Sequence, residues 1–77
     1  MADFRIWGTI HRVGPQEFAV TVSAVPDSAS MPIEGVVVDA VTASSRGLAV
    51  EACADAVLRM GKRLRERGDR VVDVEAV

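Results

Sequence analysis

A long amphipathic helix is the feature that most constrains the fold of this chain. Ser44 or Ser45 can cap its start, because a serine hydroxyl accepts from a backbone N–H that has no partner in the first helical turn. Gly68 can adopt the left-handed conformation that ends a helix. In between, apolar residues recur every three or four positions and share one face: Ala49, Cys53, Val57 (or Ala56), Met60 and Leu64. The sequence therefore predicts one helix that packs this face against a second layer.

Two alternating segments before the helix predict the start of that layer. Apolar residues alternate with polar ones over residues 4–10 and again over residues 18–24, which is the pattern of half-buried strands. Gly14-Pro15-Gln16 lies between them and has the composition of a hairpin turn. We expect these two strands to pair antiparallel.

Two valine-rich segments predict the remaining strands, at residues 36–42 and 71–77. Residues 26–35 lack periodicity and are expected to form a loop. The predicted order is β-β-β-α-β, an α+β fold with one helix packed on a single, mostly antiparallel four-stranded sheet. The expected strand partners of the helix are Ile6, Val20, Val22, Val38 and Val74.

Size and composition indicate one small domain over residues 1–77. So small a core is marginally stable, which favours a homo-oligomer, a dimer or larger. The single Cys53 excludes an internal disulfide. No apolar run reaches the roughly 18 residues of a membrane span. Met1-Ala2-Asp3 leads directly into a strand without a signal-peptide pattern. We therefore expect a cytoplasmic protein without membrane contact.

An exposed tryptophan marks the first candidate surface. Trp7 falls on the polar side of the first strand, and Val37 and Val41 are expected on the same outer face of the sheet. Monomers rarely leave such apolar patches bare, so these three residues form a candidate partner interface. The alternative is a Trp7 side chain half-covered by a loop or by the ends of the chain.

A basic segment marks the second candidate surface. The net charge is −2, yet residues 59–70 have a local balance of +4, six basic side chains minus two acidic ones. Such a segment can bind phosphates, so it is a candidate nucleic-acid contact. The alternative is a solvated helix end whose cations lie near the negative pole of the helix dipole. The basic residues are Arg59, Lys62, Arg63, Arg65, Arg67 and Arg70.

Nothing in the chain has the spacing of a catalytic or metal site. Asp39 and Asp73 lie on predicted strands and could share Mg²⁺ with Glu75 if they converged, but the two aspartates are expected on the face opposite the core. His11 has no second ligand nearby, and Cys53 is expected to be a buried, inert thiol. We expect no metal, no cofactor and no enzymatic activity.

Part of the sequence resembles a known family. The run from Glu17 to Asp27, the Thr42-Ala43-Ser44-Ser45 segment and the alanine-rich helix that follows are similar to those of the HicB-like antitoxin group. This resemblance implies a partial RNase H-like β-β-β-α-β fold. It also implies a non-catalytic interaction module that self-associates and has a small toxin-like protein as partner.

A second resemblance points to a different class. Residues Ser44 to Leu58, which follow a strand, look like the last strand-to-helix step of a double-stranded-RNA-binding domain. That resemblance implies phosphate contacts near Arg46 at the start of the helix.

Overall fold

The computed structural model describes residues 2–27 and 36–76, and in this part of the chain the predicted order β-β-β-α-β is confirmed. Residues 28–35, most of the predicted loop, lie outside the described residues. No helix in the described part is long and apolar enough to cross a membrane. The elements are β1 (Asp3–Gly14), β2 (Glu17–Pro26), β3 (Val37–Ala43), α1 (Arg46–Glu66) and β4 (Arg70–Ala76).

The four strands form one mixed sheet in the order β3-β2-β1-β4. β2 pairs antiparallel with both β1 and β3, whereas β4 pairs parallel with β1. The predicted α+β class with a mostly antiparallel sheet is therefore confirmed. Because β3 and β4 are the two edges, α1 joins one edge of the sheet to the other across a single face.

Both helix ends follow the signals in the sequence. Ser45 is the N-cap, and its Oγ accepts from the backbone N–H of Leu48 at 3.2 Å. At the other end Gly68 has φ +87°, and its N–H donates to the carbonyl of Arg65 at 3.0 Å. A left-handed glycine at this position lets the chain satisfy helix-end carbonyls and turn back toward the sheet.

The core lies between α1 and the inner face of the sheet. Ile6 and Met60 are each 1% exposed, and Leu64 is fully buried. On the helix, Ala56 rather than Val57 lies at the centre of the buried face, and Val57 packs at its margin. The buried set is Phe4, Ile6, Val20, Val22, Ala24, Ala49, Cys53, Ala56, Met60 and Leu64.

The predicted orientation of β3 is wrong. Val38 is 58% exposed, whereas Val37 and Val41 face the helix and pack against the core. The reason is the register with β2, in which buried Val20 pairs with Val41. Because side chains alternate along a strand, this register turns Val38 outward.

The predicted burial of Val74 is also wrong. Val74 pairs with Ile6 yet remains 47% exposed, because β4 is an edge strand only partly covered by α1. The pairing with β1 is irregular here: Phe4 lies opposite Val71 and Arg5 opposite Asp73, which leaves an extra residue in a bulge.

Candidate interaction surfaces

The outer face of the sheet, opposite α1, carries the exposed Trp7. Its side chain is 41% exposed, and the guanidinium of Arg5 lies 5.8 Å from the centre of the indole ring. Arg5 also pairs with Asp73 at 3.3 Å and with Asp27 at 3.8 Å. A shallow depression beside the indole is lined by Trp7, Gly8, Thr9 and Glu75. Charged side chains therefore surround Trp7 on the β1–β4 half of the outer face.

The structure does not bring the three predicted interface residues together. Val37 and Val41 lie on the helix side of the sheet, whereas Trp7 lies on the outer side. The outward-facing valine of β3 is Val38, which shares a row across the sheet with Trp7 because Ser23 pairs with both residues. Because residues 36–38 are all valine, the sequence does not show which of them face the helix and which face outward.

The β2–β3 half of the outer face differs in chemistry from the β1–β4 half. Register places small or apolar side chains there, and none of those from Ala19 to Val25 of β2 or from Val38 to Thr42 of β3 is charged; Glu17, at the start of β2, lies beyond this region. This uncharged surface is continuous with the edge of β3, which has no partner strand among the residues that the structure describes. Its residues are Ala19, Thr21, Ser23, Val25, Val38, Ala40 and Thr42.

The two sheet edges are unequal. β3 pairs with β2 over seven residues without a register shift, whereas β4 contains the bulge. Asp39 is the single charged residue of β3, and its carboxylate lies 3.7 Å from the guanidinium of Arg59 on the helix side. β4 carries Arg70, Asp73 and Glu75. Native edges are usually blunted by charges, bulges or prolines, so within the described part of the chain β3 is the less protected of the two.

Half of the basic segment is engaged within the molecule. Arg59 pairs with Asp39 on β3, and Arg67 pairs with Asp69 at 3.3 Å. Arg67 also lies over the ring of Phe4, 5.8 Å from its centre. These contacts pair both cations within the fold, while the Arg59 and Arg67 side chains remain 54% and 49% exposed.

Arg70 forms the best-aligned ion pair of the described residues. Its Nε and Nη2 donate to the two carboxylate oxygens of Asp3 at 3.1 and 3.0 Å, which ties the start of β4 to the start of β1. This hydrogen-bonded pair lowers the pKa of Asp3 and raises the pKa of Arg70.

The other three cations do not form one strip. Lys62, Arg63 and Arg65 make no ion pair with the carboxylates of residues 2–27 and 36–76. Successive helix residues are about 100° apart, so Arg63 points away from the other two, whereas Lys62 and Arg65 are three residues apart and are neighbours on the surface of α1. Nucleic-acid binding by this segment stays a prediction.

The strand carboxylates are not placed for shared metal binding. Asp39 lies on the helix side of β3, contrary to the expectation from sequence, whereas Asp73 lies on the outer side of β4 at the other edge. Across the described ranges, no group of three or more His, Cys, Asp or Glu residues could hold a metal ion. Cys53 is buried, as its place on the helix predicts, and His11 is exposed.

Comparison with known proteins finds no matching family model, no curated relative and no similar solved structure. The resemblance to HicB-like antitoxins therefore rests on the residue pattern given above.

Proposed function

We propose that this protein is a non-catalytic interaction module that acts through self-association and protein–protein contacts, as its resemblance to HicB-like antitoxins implies. The observation that carries this proposal is the uncharged outer surface from Ala19 to Val25 of β2 and from Val38 to Thr42 of β3, which reaches a sheet edge without a partner strand among residues 2–27 and 36–76. Protein partners favour surfaces depleted in charge, whereas phosphate-binding surfaces are rich in cations.

The exposed apolar side chains support the same reading. Val38 is 58% exposed on this surface, and Trp7 lies in the same row across the sheet. Tryptophan is enriched at binding hot spots because it buries a large area at a small cost in side-chain entropy. Contact at this row would remove both side chains from water.

The arrangement of polar groups supports a non-catalytic role. General acid–base or nucleophilic catalysis needs at least two groups positioned on one reacting centre. Asp39 and Asp73 lie at opposite edges and on opposite faces, and Asp73 is paired with Arg5.

The resemblance to HicB-like antitoxins adds a small toxin-like protein as a second kind of partner. The buried free thiol of Cys53 fits a reducing cytoplasm.

Light scattering after size-exclusion chromatography tests the proposal over a hundredfold range of protein concentration. We expect a mass at least twice the 8.2 kDa of one chain at the higher concentrations. A mass of one chain at every concentration would contradict self-association.

The nucleic-acid alternative has its own test. Fluorescence anisotropy with a generic duplex would be measured at two salt concentrations, and a steep loss of affinity with salt would favour phosphate contacts. We expect no such binding. The double variant Lys62→Ala/Arg65→Ala serves as the control, because neither side chain has an ion-pair partner among the described residues.

A further inference from the structure

We propose that two copies of this chain pair antiparallel through β3, about a two-fold axis at Ala40, to form one continuous eight-stranded sheet. The inference rests on the proposed self-association and identifies the surface that carries it. Ala40 is the midpoint of β3, which spans Val37–Ala43, so this axis lets all seven residues pair. Edge strands offer unpaired backbone N–H and C=O groups, and a second β3 satisfies them.

Side-chain chemistry agrees with this register. Ala40 meets Ala40 of the second copy, Val38 meets Thr42 on the outer face, and Asp39 meets Val41 on the helix side. No like charges lie directly opposite one another, and every pair points to one face of the sheet. Moving the axis to Asp39 would oppose two carboxylates, which destabilises a strand pair.

The other edge is less suited to pairing with a second copy of itself. The midpoint of β4 is Asp73, so full pairing would place two Asp73 carboxylates opposite each other. Moving the axis to Val74 would oppose Asp73 and Glu75 twice. The bulge beside Asp73 also disrupts the regular ladder that a second strand needs. Charge and regularity therefore both favour β3.

Arg59 has a role in this arrangement. The two Asp39 carboxylates become diagonal neighbours across the new strand pair, and diagonal neighbours in a sheet remain within reach of long side chains. Each carboxylate already lies 3.7 Å from its own Arg59, which offsets the repulsion between them. The pairing thus leaves no bare charge at the junction.

Two matched lysine variants test the surface by light scattering. Ala40→Lys puts two ammonium groups face to face at the axis and is expected to give a monomer. Val72→Lys adds the same charge to the other edge, at a side chain 45% exposed, and is expected to associate as the unaltered protein does. An equimolar mixture of Ala40→Lys and Ala40→Glu should form a dimer again, because the mixed pair opposes unlike charges.

Two outcomes overturn the assignment while leaving self-association intact: an Ala40→Lys protein that still associates, or a Val72→Lys protein that does not. A mixture that stays monomeric overturns the axis at Ala40. An unaltered protein that is monomeric at every concentration overturns the proposed function as well.

A smaller substitution guards against misfolding of the charged variants. Ala40→Cys adds only a sulfur atom, and directly opposed residues in antiparallel strands have Cα atoms about 4.5–5.5 Å apart, within disulfide range. Air oxidation should link Ala40→Cys chains into covalent dimers and leave Val72→Cys chains unlinked. Linked Val72→Cys chains together with unlinked Ala40→Cys chains would overturn the proposal.

Discussion

Gly8 on β1 packs against Cys53 of α1, and this contact predicts whether a substitution raises or lowers stability. A Cβ atom at Gly8 would be 2.6 Å from the Sγ atom of Cys53 and 3.6 Å from side-chain atoms of Val57 and Ala76. The first distance is far inside van der Waals contact, and the other two are ordinary contacts. Gly8→Ala should therefore overpack the core against one atom.

The size of the effect follows from two opposing contributions. Overpacking a core typically costs about 1–3 kcal/mol. Replacing glycine by alanine in a strand regains roughly 0.5–1 kcal/mol, because glycine loses more backbone freedom on folding. We expect Gly8→Ala to lower the free energy of unfolding by about 0.5–2 kcal/mol.

Removal of the sulfur should reverse the sign. In a Cys53→Ala protein the added methyl enters the space of the missing Sγ atom, so Gly8→Ala should raise the free energy of unfolding by about 0.5–1 kcal/mol. The two substitutions would then be coupled by roughly 1–3 kcal/mol. Urea unfolding of the four proteins at one fixed concentration gives this coupling. If Gly8→Ala has the same effect with and without the sulfur, the contact is not the one described.

Three further predictions concern the buried Leu64 side chain, the ion pair between Asp3 and Arg70, and the absence of nuclease activity. Leu64→Asp should unfold the protein by circular dichroism, because it places an unpaired charge at a fully buried position, whereas Leu58→Asp, at a position 69% exposed on the same helix, should fold. Arg70 lowers the pKa of Asp3 in the folded state, so this carboxylate stabilises the fold above its ordinary pKa and loses that contribution as pH falls through the lowered value. In Asp3→Asn, the free energy of unfolding measured with urea should fall less steeply with decreasing pH than in the unaltered protein. Equal slopes in the two proteins would contradict the ion pair between Asp3 and Arg70. The purified protein should not cleave an RNA–DNA hybrid with Mg²⁺, and Mg²⁺-dependent cleavage would contradict the non-catalytic proposal.

Local signals in the sequence predicted the elements of the fold. The cap at Ser45 and the stop at Gly68 depend on a few neighbouring residues, and the alternation in β1 and β2 reports directly which side is buried. The helix stripe was visible for the same reason. These features need no knowledge of the tertiary partner.

The misplaced residues are those whose environment depends on distant strands. Three valines in a row give β3 no alternation, so only pairing with β2 decides that Val38 faces outward. The exposure of Val74 depends on the position of β4 at the edge of the sheet and on a bulge that the sequence does not predict. A period of two specifies a face only when one parity is polar.

The candidate surfaces were predictable only in part. The exposure of Trp7 followed from its position on the polar side of β1. The exposure of Val38, which lies in the same row across the sheet, did not follow from the sequence. The ion pairs of Arg70 with Asp3 and of Arg59 with Asp39 join residues far apart in the chain, so the basic segment looked freer in the sequence than it is. Charge counts along a chain do not show which cations the fold has already paired.

Amide hydrogen exchange along β3 is the most direct test of self-association through this edge. In a free edge strand, alternate N–H groups point away from β2 and exchange rapidly, whereas a second strand protects them. At concentrations where the protein associates, we expect consecutive protected amides from Val38 to Thr42 and a loss of every second one on dilution. Alternating fast and slow exchange in β3 of the associated protein would contradict the proposed pairing.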